Sequence, residues 1–419
     1  MTLTPDPVWI RRPTTDRCLT YGDLLAGLAE PRLEYAPAVC PANAIEVVWA
    51  LGRAMALDRP LTLYDPLFTE SERIALGATP ALLAARETLA GIRIPEVVSL
   101  HQRVRAARNF RLTLFTSGST GLPKSVTHRI DTLARSVREG SALKRAVWAL
   151  CYNPAHMAAI QVILQAFFNR NTIIDLYGID PERIVDAIVA EGVTHISATP
   201  SFYRLLPLGE SVFDLVRGVT LGGERADAAL IRRLRRAFPR ARIRNIYAST
   251  EAGSLLASDG DVFSIPRALA DRVRIRGERL EVHRSLLGDG PLEDPAAEWY
   301  DTGDVVEWAA HDTGCFRILR RDRNWVNVGG EKVDPAEVAE VLLRHPDITD
   351  ARVFARPSSV LGQILSAEVV AAPGLGETEI RGYLSQTLSP GRIPRLIRLV
   401  DTLPLTRTGK AGPPPAKRT

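Results

Sequence analysis

Residues 112–128, "LTLFTSGSTGLPKSVTH", place hydroxyls, glycines and one lysine directly after an apolar, β-branched run. Composition alone spells a surface loop. Backbone N–H groups and hydroxyls on a loop relaxed by glycine also form an anion-binding concavity, and phosphate is its natural occupant. A Walker-type loop needs glycine before its lysine. Gly118, Lys124 and Ser125 stand where that loop wants them, but the residue before the lysine is Pro123. Proline fixes φ and has no N–H to donate, which argues against a P-loop NTPase.

Four further segments hold residues able to do chemistry. In "NIYASTEAG", residues 245–253, a carboxylate follows a strand-like run. Alone it is ordinary surface charge; beside phosphate it is the hard oxygen donor that a divalent cation wants. "YDTGDVVEW", residues 300–308, offers an acceptor-only carboxylate suited to paired hydroxyls, and it also fits a type I turn. "RILRRDRNWVNVGGEKVDPAEV", residues 317–338, and "LPLTRTGKAG", residues 403–412, complete the set. The chain has 48 arginines and five lysines, and Lys124, Lys332 and Lys410 all fall inside these segments. Ammonium and guanidinium do different chemistry, so a scarce lysine is worth locating.

Taken in order, the five segments resemble the signatures of the adenylate-forming superfamily: acyl-CoA synthetases, the adenylation domains of nonribosomal peptide synthetases, and luciferases. That resemblance implies ATP and Mg²⁺ as cofactors. The loop of Thr116, Ser117, Gly118, Ser119, Thr120 and Gly121 would grip the β- and γ-phosphates, with Lys124 steadying it. Asn245 would reach the adenine edge and Tyr247 would lie against the base. Ala248 and Ser249 would border the nucleotide, Thr250 would touch the α-phosphate and Glu251 would hold the metal. Asp304 and Arg321 would bind the ribose, Arg323 would be the hinge, and Lys410 would be the catalytic lysine, bridging the acid and the α-phosphate. Gly222, Gly223 and Glu224, in "GVTLGGERAD", and His156, in "CYNPAHMAAIQVI", would border the acyl group. The chain departs from the pattern at Ala248, where the family commonly has glycine, and at Arg320 and Asn327, where it has glycine and lysine. Around His156 there is no Asp of the kind that pairs with an α-amino group, so an α-amino acid substrate is disfavoured.

The elements that must position these residues follow from periodicity. Residues 44–57, 155–168, 181–191 and 226–238 carry helical spacing, alternating with strand-like "PLTLY", "NTIIDLY", "THISA" and "RIRNIYA". That is α/β architecture with parallel strands. From about Asp261 the texture changes to short antiparallel hairpins. Beyond a break near residues 321–325, "DPAEVAEVLLRHP" opens a helix with Asp334 as cap and Pro335 at its first position. The expected organisation is a large domain of parallel sheets with helices and a small antiparallel, barrel-like part, residues 1–321, and a small mobile α+β domain, residues 322–419. The phosphate loop comes earlier than in full-length members, so the resemblance leads one to expect an abbreviated first subdomain.

At 419 residues the chain has material for two or three domains. Hydrophobic and charged contents of 46% and 24% are those of a globular protein. No apolar run approaches a membrane span and the start lacks a secretory pattern, so a cytoplasmic location is expected. Net charge is +5, but the arginine run at 231–244 contains only Phe238 as an aromatic, and a solvated helix face followed by a strand explains it better than nucleic-acid binding. Cys18, Cys40, Cys151 and Cys315 lack metal or redox spacing; buried free thiols are the expectation.

The implied reaction joins a carboxylic acid to ATP, giving acyl-AMP and pyrophosphate. The acyl group then passes to a thiol, either coenzyme A or the phosphopantetheine of an acyl carrier protein. An aryl or fatty acid fits better than an amino acid. Alternatives are a non-standard acid or amine acceptor, and a degenerate nucleotide-binding protein. The charged set Lys124, Glu251, Asp304, Arg321 and Lys410 favours an enzyme.

Overall fold

A computed structural model describes residues 7–403, apart from 16, 117–122, 291, 293, 295, 310–313, 322–325, 329–330 and 359–361. Its centre is an eight-stranded sheet. In spatial order the strands are Gly253–Ser258, Arg242–Ser249, Gly218–Gly222, His195–Ala198, Val147–Leu150, Thr172–Asp175, Val8–Arg12 and Arg17–Thr20. The six inner strands are parallel and the two edge strands antiparallel to their neighbours. The expected alternation of strand and helix is therefore present, and among the strands periodicity did not reveal, "VWIRR" lies inside the sheet although it comes first in the chain.

Why this sheet buries both faces is visible in the helices. Met157–Asn169 is apolar nearly all round, with nine buried residues, as a helix held between layers must be. Its Phe167 packs on Trp9, which stacks on Tyr21 at 5.2 Å, tying the N-terminal strand to the core. Ala44–Leu57 begins at Asn43, whose side chain accepts from the Glu46 N–H, and ends at Asp58 in the left-handed region. The Asp58 carboxylate then accepts from the backbone of Asn109 and Phe110, aiming the chain into the next strand.

That strand, Leu112–Thr116, belongs to a second sheet. Ala38–Val39, Leu61–Leu63 and Leu112–Thr116 are parallel, and Lys124–His128 returns antiparallel. Thr116 pairs with Lys124 across this hairpin. Residues 262–321 form a five-stranded antiparallel sheet. The arginine-rich run is a helix, Ala228–Ala237, with Leu230, Ile231, Leu234 and Ala237 buried, followed by the strand Arg242–Ser249.

The C-terminal part is a small α+β unit with its own core. Ile348–Ser358, Gly362–Ala371 and Leu396–Leu399 form its sheet, covered by the helices Pro335–Leu343 and Glu377–Ser385. Asp334 caps the first helix, accepting from the Ala336 N–H. Against expectation, only Cys151 of the four free cysteines is buried; Cys18 is exposed and Cys40 and Cys315 are half-buried. Cys18 falls on the solvent side of an edge strand, where a small side chain is tolerated without packing. Among the described residues no helix is long and apolar enough to cross a membrane.

Candidate functional site

The sheets, the antiparallel layer and the small unit enclose one cleft of about 1900 Å³. It collects most of the residues singled out by sequence: Thr116, Lys124, His156, Gly222, Gly223, Glu224, Asn245, Tyr247, Ala248, Ser249, Thr250, Glu251 and Asp304 all line it. They arrive from six separate stretches of chain. Parallel strands place ligands beyond their C-terminal ends, and Gly222 and Ser249 both end such strands.

Tyr247 and Asp304 meet directly. The Tyr247 hydroxyl donates to Asp304 Oδ2 at 2.5 Å, and Asp304 is 4% exposed. The Asp304 N–H donates to Thr302 Oγ1, fixing the turn. Across the antiparallel ladder the backbone register sets Arg321 opposite Asp304. Asn245 is buried and donates from Nδ2 to the Gly260 carbonyl at 3.1 Å.

The turn carrying Thr250 and Glu251 is held from outside. Since a carbonyl can only accept, His128 Nε2 must donate to the Thr250 oxygen, at 2.7 Å. His128 is 1% exposed, and burial holds its imidazole below its usual pKa. The Gly288 N–H donates to the Glu251 carbonyl, Thr127 and Asp289 exchange backbone hydrogen bonds, and Arg135 donates to the carbonyls of Leu286 and Ala252. Hence the phosphate hairpin, the 250–252 turn and the 286–289 segment are bound into one piece. Sequence patterns gave no sign of His128 as this tie.

The floor beside the turn is made open by glycine. A Cβ at Gly222 would stand 3.2 Å from the Tyr152 hydroxyl, and Gly223 adopts φ +82°. Glu224 is partly committed: its Oε2 accepts from the Ser201 N–H at the start of the helix Pro200–Leu205. His156 also has a partner that sequence spacing did not indicate. Its Nε2 donates to Asp65 Oδ2 at 2.8 Å, and Asn153 and the Leu67 N–H donate to the same carboxyl. Burial would push the Asp65 pKa up, but the hydrogen bond and charge of His156 outweigh it and hold the carboxyl below its usual range. A negative charge is thus present near His156 after all, brought from 91 residues earlier.

Ser117, Gly118, Ser119, Thr120, Gly121, Arg323 and Lys410 lie outside the described residues, as does the side chain of Arg321. For a magnesium ion the donor set is apt: Glu251 contributes a hard carboxylate to a cleft that phosphate oxygens would share, and Mg²⁺ is commonly held by one or two carboxylates plus substrate phosphates.

Two family descriptions match the chain: AMP-binding enzyme over residues 69–276 and AMP-binding enzyme C-terminal domain over residues 337–410, together about two thirds of it. Among curated proteins, a 2-succinylbenzoate–CoA ligase of Staphylococcus aureus (strain bovine RF122 / ET3-1) is 28% identical over 324 residues, 71% of this chain and 64% of that protein. The chain therefore spans about 64% of the length of the curated relatives it matches. Among solved structures, o-succinylbenzoate CoA synthetase from Bacillus subtilis with its acyl-adenylate intermediate superposes with TM-score 0.68 at 18% identity. It covers 98% of this chain and 95% of that one. ATP-bound MatB from Rhodopseudomonas palustris gives TM-score 0.68 at 18% identity, covering 97% and 95%. Likeness at this identity shows the fold.

Proposed function

We propose, from the premise that this chain belongs to the AMP-binding enzyme family of adenylate-forming proteins, that it is an ATP-dependent acid–thiol ligase. A carboxylate oxygen attacks the α-phosphorus of ATP and pyrophosphate leaves; the thiol of coenzyme A then attacks the acyl carbon and AMP leaves. The observation that carries this reading is the convergence in one cleft of the Tyr247–Asp304 pair, the braced Thr250–Glu251 turn and the base of the phosphate hairpin.

In this reading residues 1–321 and 322–419 are the two domains, and the second rotates about Arg323 between half-reactions. Asp304 and Arg321 take the ribose, while Asn245 and Tyr247 take the adenine. Thr116, Ser117, Gly118, Ser119, Thr120 and Gly121, steadied by Lys124, take the leaving pyrophosphate. Ala248 and Ser249 border the nucleotide, Thr250 meets the α-phosphate, and Gly222, Gly223 and His156 border the acyl group. Mg²⁺ held by Glu251 and phosphate oxygens would offset charge on the triphosphate. Lys410 bridges the attacking carboxylate and the α-phosphate. The curated relatives act on 2-succinylbenzoate, which supports an aryl acid as substrate and coenzyme A as acceptor; a carrier-protein thiol is the alternative acceptor. A cytoplasmic location fits such a role.

Lys410→Ala tests the assignment. Acyl-AMP formation should slow roughly 10²-fold, the size of losing one transition-state donor, while thioester formation from supplied acyl-AMP persists. Wild-type pyrophosphate exchange in that variant would overturn the role of Lys410.

A further inference from the structure

The cleft does not stop at the nucleotide. It continues along one face of the large sheet, beneath the helix Met157–Asn169, toward the N-terminal ends of the strands. The parallel register gives its floor row by row. Gly222 pairs with Ile246 at the top; Ser197, Thr220 and Arg244 stand side by side in the middle; Trp148, His195, Gly218 and Arg242 form the last row. At about 3.3 Å per strand residue, the middle row is roughly 7 Å below Gly222 and the last row roughly 13 Å below it.

The channel is open because its floor is thin. Gly218 has no side chain, and a Cβ there would stand 2.5 Å from the His195 ring. That ring instead lies flat against Trp148, with centroids 4.6 Å apart. The helix above contributes Gln161, fixed by the Ser254 hydroxyl, and Gln165, which accepts from the Arg138 N–H and donates to its carbonyl.

What ends the channel is positive charge. Arg138, Arg217, Arg242 and Arg244 all line it. The acidic groups nearby are committed elsewhere or exposed: Glu139 pairs with Arg105, Asp214 with Arg240, and Asp259 is bound by Arg242 and lies 61% exposed. Arg244 is the innermost of the four, its side chain 23% exposed; it makes a loose ion pair with the exposed Asp259, Nε to Oδ1 at 3.8 Å, too long for a hydrogen bond. That Nε is buried with no hydrogen-bond partner among the described residues. Burial, then repulsion from Arg138 and Arg242, makes the charged form of Arg244 harder to hold, and Asp259 offsets this only in part. A half-desolvated guanidinium with an unused donor is unfavourable until an anion reaches it, and a carboxylate matches its fork.

We propose that the acid activated here carries a second carboxylate, seated against Arg244, whose row lies roughly 7 Å along the sheet from Gly222. This deepens the ligase reading and rests on it: the same channel that leads an acyl group away from Gly222 meets Arg244 in its middle row, before the last row at Arg242, which sets the substrate class as a dianion. Arg138, Arg217 and Arg242 draw the second charge in and Arg244 binds it.

The test uses the full chain with Mg·ATP and two pairs of acids: octanedioate against octanoate, and 2-succinylbenzoate against 4-oxo-4-phenylbutanoate, which lacks the ring carboxylate. Pyrophosphate release gives kcat/KM for each. The diacid should be favoured at least tenfold in one or both pairs, the worth of about one good ionic contact. In Arg244→Met that preference should fall to near one, mainly through KM, and Arg244→Lys should keep part of it. A folding defect lowers both members of a pair together and leaves the ratio, so it cannot imitate the result. Equal use of both members by the wild type, or an unchanged ratio in Arg244→Met, overturns the proposal. If no acid yields pyrophosphate, the ligase reading fails, and calorimetry decides the inference separately. Octanedioate binding that octanoate does not share and Arg244→Met abolishes would uphold it; equal or absent binding would overturn it.

Discussion

Replacing His128 by phenylalanine keeps a ring in a site that is 1% exposed and removes the Nε2–H that satisfies the Thr250 carbonyl at 2.7 Å, together with the longer 3.4 Å contact of Nδ1 with the Thr132 hydroxyl. Leaving a buried acceptor unpaired costs about 1–3 kcal/mol. Because that carbonyl belongs to the turn assigned to the α-phosphate and metal, part of the loss should appear in nucleotide use as well as stability; 1.4 kcal/mol expressed there is about tenfold. His128→Phe should therefore lower the unfolding free energy by about 1–3 kcal/mol in urea and reduce kcat/KM for Mg·ATP about tenfold. Gly288→Ala attacks the same joint from the other side. Its Cβ would stand 2.7 Å from His128 Cε1 and 2.8 Å from the Thr127 carbonyl, so the ring and hairpin must shift. It should match or exceed the His128→Phe effect on ATP. A His128→Phe protein that loses stability yet keeps wild-type kcat/KM would refute the claim that this hydrogen bond positions the turn, and one that loses neither would refute the bond's value altogether.

Three other outcomes follow from charges in awkward places. Asp350 is 4% exposed, and burial pushes its carboxyl to about 6. Both states are ionised above pH 6 and the fold bears the burial penalty there, which fades as pH falls from about 6 toward 3.8. Asp350→Asn should raise stability by about 1–3 kcal/mol at pH 7.5 and by much less at pH 4.5 in urea denaturation. His101 packs against Phe167 and Phe168, and burial lowers its pKa to about 4. Its unfolded form takes up a proton near pH 6.5 while the fold refuses it, so stability should drop on acidification from pH 6.5 to 5, and His101→Leu should flatten that slope. Finally, Arg225 reaches Glu340 at 2.9 Å, joining the large sheet region to the small unit across a half-exposed contact. Glu340→Gln should change global stability by less than about 1 kcal/mol, with the effect on the ratio of adenylation to thioester formation read in a two-step assay.

Much of this architecture was legible in the chain because local patterns and burial agree. Residues 44–57 show their helix directly, Asp334 shows the cap of a later one, and "RIRNIYA" ends where parallel strands deliver ligands. The motifs around Tyr247 and Asp304 named residues that do meet, although 57 positions separate them. What stayed hidden depends on distant partners. "VWIRR" pairs with residues 173 and 174, a non-local choice that no window of sequence contains. Asp65, which no motif singled out, holds His156. His128 closes the quoted phosphate-loop stretch without any signal of its own, and its role exists only because Gly288 leaves room for the ring. Arg244 was one arginine among many in a basic run; its place on the inner face of the sheet follows from the register with Thr220, which only the fold reveals.

The central claim is that a carboxylate oxygen attacks the α-phosphorus of ATP in this cleft. The most direct measurement supplies the protein with Mg·ATP, coenzyme A and 2-succinylbenzoate or octanedioate labelled with ¹⁸O in its carboxylates, and follows the products by mass spectrometry. Oxygen balance requires one labelled carboxylate oxygen to remain on AMP after the thiol takes the acyl group, with pyrophosphate released unlabelled. AMP carrying one ¹⁸O is the predicted result. ADP and phosphate as products, or AMP without label, would contradict it.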